Sequence, residues 1–204
     1  MKQLNAHVWD REANEHYVEP EWCSRRLFQE EDFEGGVYDP CCGFGRIVIS
    51  ALQAGLKGYG SDIIDRGWDS TRTPHDFLSS PNTGPDREFH DNIVCNPPFN
   101  IAADFALHAL KLARRKVAMV FPTARLNAAH WLQGAPLVRV WLMTPRPSMP
   151  PGHTITAGLK PGGGKMDFCW LVWEKGFVGT PEIKWLRRDA RAKLNEVTAK
   201  EIAV

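Results

Sequence analysis

Between Lys111 and Lys165 the chain has no aspartate and no glutamate, although its 204 residues hold 24 acids. Its five cysteines, Cys23, Cys41, Cys42, Cys95 and Cys169, form no C-x-x-C pair. That argues against a disulfide framework and against a zinc site, and no metal is expected. The five read instead as small buried apolar residues. No apolar run approaches the roughly 20 residues needed to cross a bilayer. The N-terminal segment carries no apolar signal core, so a cytoplasmic chain with no membrane partner is expected. No G-K-[ST] follows the glycine turn at 43–45, which excludes a Walker phosphate loop. There is no internal repeat and no low-complexity tract.

What is present fits one α/β domain over 1–204 with a core of its own. Net charge is +1, but the charges are segregated. Residues 10–34 hold nine acids against three arginines. Residues 111–165 hold nine bases: Lys111, Arg114, Arg115, Lys116, Arg125, Arg139, Arg146, Lys160 and Lys165. A one-sign block of that length points to an anionic partner, nucleic acid first. Solvated element faces are the alternative.

The periodicity alternates between helix and strand. Helices are expected at 19–33, 45–56, 101–115 and 124–134, and strands at 35–40, 57–63, 91–99, 116–122, 137–143 and 167–175. Residues 64–90 read mostly as loop. Residues 1–34 form an N-terminal extension and helix, 144–165 a flexible basic loop, and 182–204 a polar C-terminal helix. Such alternation means βαβ units and a mostly parallel, doubly wound sheet, with ligands at the carboxyl ends of the strands. Asp39, Asp62 and Asn96 all fall at such ends. The tryptophans Trp131, Trp141, Trp170 and Trp173 sit at core spacing.

"VYDPCCGFGRIVI" reads as a strand, a turn and a helix start. Gly43 and Gly45 would let backbone approach a ligand closely. An acid before the glycines, Asp39, would repel a pyrophosphate and suits a cationic group. Asp62, ending the second strand, can accept from both hydroxyls of a ribose. A nucleoside with a positive charge and no phosphate satisfies both, and S-adenosyl-L-methionine is such a molecule. A tight strand–helix turn with a capping acid is the plainer alternative.

"NPPF" leaves the third strand through an amide, two prolines and a ring. The Asn96 oxygen and the Pro97 carbonyl could accept from the two N–H bonds of an aromatic amine, and so stabilise positive charge developing on nitrogen. Pro97 and Pro98 stiffen the turn and bring no competing donor. Phe99 could lie against a flat base. A base in a duplex would have to be flipped out to reach such a pocket. A strand that simply ends in a Pro-Pro turn is the alternative.

With these motifs in order, the chain resembles the Rossmann-like S-adenosylmethionine-dependent methyltransferases, and within them the compact, phage-type DNA adenine-N6 enzymes. "DPCCGFG" resembles the cofactor loop D-P-x-x-G-x-G, and "NPPF" the catalytic [DNS]-P-P-[YFW]. "HDFL" resembles the element that holds the cofactor adenine, with Asp76 accepting from its amine and Phe77 packing on the ring. "YVEPEW" resembles a Y-x-T-P segment at the methionine end, with Glu19 standing where that segment carries threonine. The resemblance implies a seven-stranded sheet whose last two strands form an antiparallel hairpin. It implies S-adenosyl-L-methionine bound by Tyr17, Pro20, Asp39, Pro40, Cys41, Gly43, Gly45, Asp62, Ile63, Asp76, Phe77 and Asn96. Catalysis falls to Asn96, Pro97, Pro98 and Phe99. Arg125, Arg146, Lys160 and Lys165 are the expected nucleic-acid contacts, on DNA or RNA. An RNA base or a protein glutamine as substrate, and a fold kept for binding without turnover, stay open alternatives.

Overall fold

A parallel strand covered on both faces is apolar almost throughout, with successive side chains sent to opposite layers. "IVC" at 93–95 behaves in this way. Ile93 and Cys95 enter one core layer with Phe105, Ala109, Met119 and Trp173. Val94 enters the other with Leu27, Ile47, Val120 and Trp170. The computed structural model describes residues 16–69, 71–79, 90–160 and 162–189.

The elements run α1 (Glu21–Glu30), β1 (Gly36–Asp39), α2 (Arg46–Gln53), β2 (Lys57–Ser61), β3 (Thr71–Arg72), β4 (His90–Cys95), α3 (Ala102–Leu112), β5 (Ala113–Pro122), β6 (Leu137–Thr144), α4 (Gly152–Thr156), β7 (Phe168–Glu174) and β8 (Glu182–Arg187). They form one sheet in the order β3-β2-β1-β4-β5-β7-β6-β8. β1 pairs in parallel with both β2 and β4, so strand order reverses beside it. β7 lies antiparallel between β5 and β6. The expected doubly wound sheet with an antiparallel C-terminal pair is therefore present.

Four expectations are corrected. The C-terminal segment begins as a strand, not a helix: β8 adds an eighth, parallel strand beside β6, with Arg139 opposite Glu182 and Thr144 opposite Arg187. Residues 190–204 of that expected helix lie outside the described residues. The helix at 101–115 stops at Leu112, and Arg114, Arg115 and Lys116 begin β5. The helix at 124–134 is two 3-10 turns, Thr123–Ala128 and His130–Leu132. The loop at 144–165 is tied down at its centre, where Met149, Pro150, Pro151 and Gly152 are buried. Val18 N donates to Pro150 O at 2.9 Å and Gly152 N to His16 O at 2.9 Å, so residues 16–18 hold the loop like a short strand. β3 lies ahead of Asp76, at the edge of the sheet beside β2; residues 80–89 lie outside the described residues.

The segregated charges meet each other. Glu31, buried at the end of α1, accepts from Arg139 Nε, from Lys116 Nζ at 3.2 Å and from Trp141 Nε1 at 2.8 Å. Arg115 pairs with Glu34, and Arg139 pairs also with Glu182. Much of the basic block is thus matched within the fold rather than reserved for an anion. None of the five cysteines is in a disulfide, and four of them are buried.

Candidate active site

β1 and β4 end side by side at the reversal of strand order, and this position opens a cavity of about 390 Å³. That volume lies within the usual range for small-molecule sites. Asp39, Pro40, Cys41 and Gly43 reach it from the β1 turn, and Asp62 and Ile63 from the end of β2. Asp76 and Phe77 line it from the segment before β4, Asn96 and Pro98 from the end of β4, and Tyr17 from the N-terminal side. Residues expected to act together, from five separate stretches of sequence, therefore converge.

The β1 turn is built on two left-handed glycines. Gly45, with φ +75°, caps α2, and a Cβ there would lie 2.4 Å from the Trp68 ring. Backbone bonds close the turn, from Gly45 N to Cys42 O at 2.7 Å and from Cys42 N to Ser61 O at 2.9 Å. Asp39 Oδ1 accepts from Cys41 N at 3.1 Å. Asp62 is committed more heavily than a pure ligand group would be. Its Oδ2 accepts from Gly43 N at 2.9 Å and its Oδ1 from Ile64 N at 3.0 Å. Each oxygen keeps a second lone pair for a ligand hydroxyl.

Three carboxylates, Glu19, Asp39 and Asp62, stand in the wall at 6, 2 and 5 % exposure. Burial raises Asp39 well above the ordinary carboxylate range, and the charges of Glu19 and Asp62 raise it further. Burial also raises Glu19, against the pull of its own backbone N–H, of Asn96 and of Arg46. A cationic ligand placed against these acids would favour their ionised forms. His16 borders the same space. Burial and the neighbouring Arg66 push it down to about 4, so its imidazole is neutral at physiological pH.

Asn96 has a fixed orientation. Its Nδ2 donates to Tyr17 O at 2.8 Å and to Glu19 Oε2 at 2.9 Å. Both amide hydrogens are spent, and the side chain offers its oxygen as an acceptor. The turn after it closes through Ile101 N to Pro98 O at 3.2 Å.

Four expected residues do not line the cavity. Pro97 is buried. Phe99 packs with its ring 5.7 Å from that of Phe168. Pro20 starts α1, accepting from Cys23 N at 2.9 Å, and Gly45 supports the turn from outside. Phe77 is 2 % exposed and packed by Tyr38, Phe105 and His108, so it contributes a core-anchored edge rather than a free platform. Of the expected nucleic-acid contacts, Arg125 donates through Nη1 to Phe99 O at 3.3 Å, which places a cation beside the Asn-Pro-Pro-Phe turn. Arg146 is already paired with Asp167, at 2.6 and 3.1 Å. Lys160 and Lys165 are exposed. Glu19, His16 and Arg66 were not expected among the site residues. The one sequence signal for any of them is the acid of "YVEPEW" in place of threonine.

No family model matches the chain, and no curated protein is significantly similar to it. Among solved structures it is similar to a protein assigned as an RNA methyltransferase from Pyrococcus horikoshii, at TM-score 0.60 and 15% identity over 85% of this chain and 95% of that one. It is also similar to a protein assigned as a class I S-adenosylmethionine-dependent methyltransferase from Listeria monocytogenes, at 0.53 and 13% over 90% and 67%. A third is the M protein of the type I restriction enzyme EcoKI, at 0.53 and 14% over 84% and 48%, so the chain spans about half the length of that subunit. What is shared at these identities is architecture: the chain has the Rossmann-like fold of the S-adenosylmethionine-dependent methyltransferases.

Proposed function

We propose that this protein transfers a methyl group from S-adenosyl-L-methionine to the exocyclic N6 amine of adenine in DNA. The observation that carries this reading is the orientation of Asn96. Both its donors are consumed, and its oxygen is left as acceptor at the edge of a cavity rich in buried carboxylates. An acceptor of that kind, with no strong base beside it, suits an aromatic amine whose N–H bonds must be held while positive charge builds on nitrogen.

The residues present fit the cofactor. Asp39 and Glu19 suit its cationic end, Asp62 its ribose and Asp76 its adenine amine. When bound, it would supply an electrophilic methyl carbon to the nitrogen lone pair, with its sulfur to take back the bonding pair. The chain's part is to bind and orient. Asn96 holds one N–H of the amine through its oxygen, Pro97 keeps the turn rigid, and the proton lost from nitrogen leaves through that acceptor side to water. Arg125, with Lys160 and Lys165, supplies phosphate contacts at the rim. The similarity to the EcoKI M protein supports DNA as substrate. The similarity to the Pyrococcus horikoshii protein, nearly all of which is covered, favours an RNA base as the second reading.

The test is incubation with methyl-labelled S-adenosylmethionine and unmethylated genomic DNA or total RNA, then digestion to nucleosides. Label in N6-methyladenine of DNA, lost in Asn96→Ala, is the expected result. Label in RNA alone would transfer the reading to RNA, and no cofactor binding by calorimetry would end it.

A further inference from the structure

Glu19 has more contacts than a surface acid next to a proline would need. Its side chain is buried, and its Oε2 receives an N–H of Asn96 at 2.9 Å. The segment carrying it is pinned on both sides, by Val18 N on Pro150 O at 2.9 Å and by Arg46 Nη1 on Glu19 O at 2.8 Å. An amide whose two hydrogens are held by fixed acceptors cannot turn its oxygen away. Once ionised, as a cationic ligand in the cavity favours, the carboxylate gives a stronger bond than a hydroxyl would, and polarises the amide so that more negative charge collects on Oδ1. A threonine at this position would have supplied neither the reach nor the charge.

We propose that Glu19 is a positioning residue: its carboxylate locks Asn96 with the oxygen toward the substrate amine and strengthens that oxygen as an acceptor. The inference rests on the methyltransferase reading above. It assigns a task to the one residue at which the N-terminal motif departs from its pattern. Asp39 of β1, Arg46 of α2, Cys23 of α1 and Cys95 of β4 are the titratable or charged groups that face Glu19. Of these only Arg46 is cationic.

The test compares wild type with Glu19→Gln, which keeps an acceptor without its charge, and with Glu19→Ala, which removes the acceptor. At saturating cofactor, Glu19→Gln is expected to lower kcat about 10- to 100-fold with KM for the nucleic acid within about twofold. The limb of the kcat–pH profile that belongs to Glu19 should vanish. Glu19→Ala is expected to lower kcat at least as far. Wild-type kcat in either variant would overturn the role.

A second readout needs no turnover. The Asn96 side-chain N–H resonances should move with pH in wild type, following Glu19, and stay fixed in Glu19→Gln. Identical behaviour in both proteins would overturn the contact itself. If wild type transfers no label to any nucleic acid, the methyltransferase reading fails, and these resonances still decide the Asn96–Glu19 lock.

Discussion

Asp62 Oδ2 accepts the backbone N–H of Gly43 at 2.9 Å, so an acid at the end of β2 holds the glycine turn at the end of β1 in place. The other oxygen takes Ile64 N at 3.0 Å. A carboxylate that ties down two loops while facing a cavity shapes the site before any ligand arrives. Asp62→Ala should therefore act twice, on the fold and on binding. Removing it leaves two amides without a charged acceptor and costs about 2–4 kcal/mol of stability. Calorimetry should show cofactor affinity reduced at least about 100-fold, and Asp62→Asn should recover part of the melting temperature but little of the affinity.

The raised acids make binding proton-linked. Asp39 and Glu19 hold protons in the unliganded fold at pH values where an unfolded chain has lost them. Their contribution to stability is therefore present at acid pH. It is lost as pH rises from the ordinary carboxylate range through their higher folded values. A cationic ligand favours the ionised forms, so its binding releases protons and its affinity rises with pH over that same window. Calorimetry in two buffers of different ionisation enthalpy should report net proton release, and the release should diminish in Asp39→Asn.

Glu31 joins α1 to β5 and β6 through Lys116, Arg139 and Trp141. Glu31→Ala removes the buried acceptor shared by Lys116, Arg139 and an indole N–H, leaves Arg139 its pair with Glu182 and Lys116 its bond to Asp32 O, and should destabilise the protein by about 2–4 kcal/mol. Urea denaturation followed by tryptophan fluorescence measures it. Glu34→Ala breaks only the exposed pair with Arg115 and should cost under about 1 kcal/mol.

Arg125 and Arg146 should separate in nucleic-acid binding. Arg125 stands at the carbonyl of Phe99, whereas Arg146 is already forked onto Asp167. Arg125→Ala is expected to weaken binding and lower the slope of log K against log salt by about 1. Arg146→Ala should change that slope much less, and Asp167→Ala, which frees the guanidinium, should steepen it. Fluorescence anisotropy across a salt series tests all three.

The strand ends were legible in the sequence, because a buried strand that stops at an acid or an amide leaves few other reasons for a polar residue there. Asp39, Asp62 and Asn96 do meet at one cavity. β8 was not legible. Four of its six residues, Glu182 to Trp185, are exposed and Leu186 is its one buried side chain, so no alternation marks it. The basic block was misleading for a related reason. Composition shows charges along the chain, whereas Glu31 and Glu34 reach Arg139, Lys116 and Arg115 only across the fold. Glu19 escaped because an acid beside a proline reads as surface, and only tertiary structure brings Asn96 to it.

The contact between residues 16–18 and 150–152 has a consequence for how the chain is made. Asn96 is held by Tyr17 and Glu19, which are held in turn by a segment more than a hundred residues further on. A ribosome releases the first of these partners long before the last. Until β6 and the segment behind it have emerged, residues 16–18 lack the strand-like partner that seats them. A chain cut before residue 150 would carry the motif without that support.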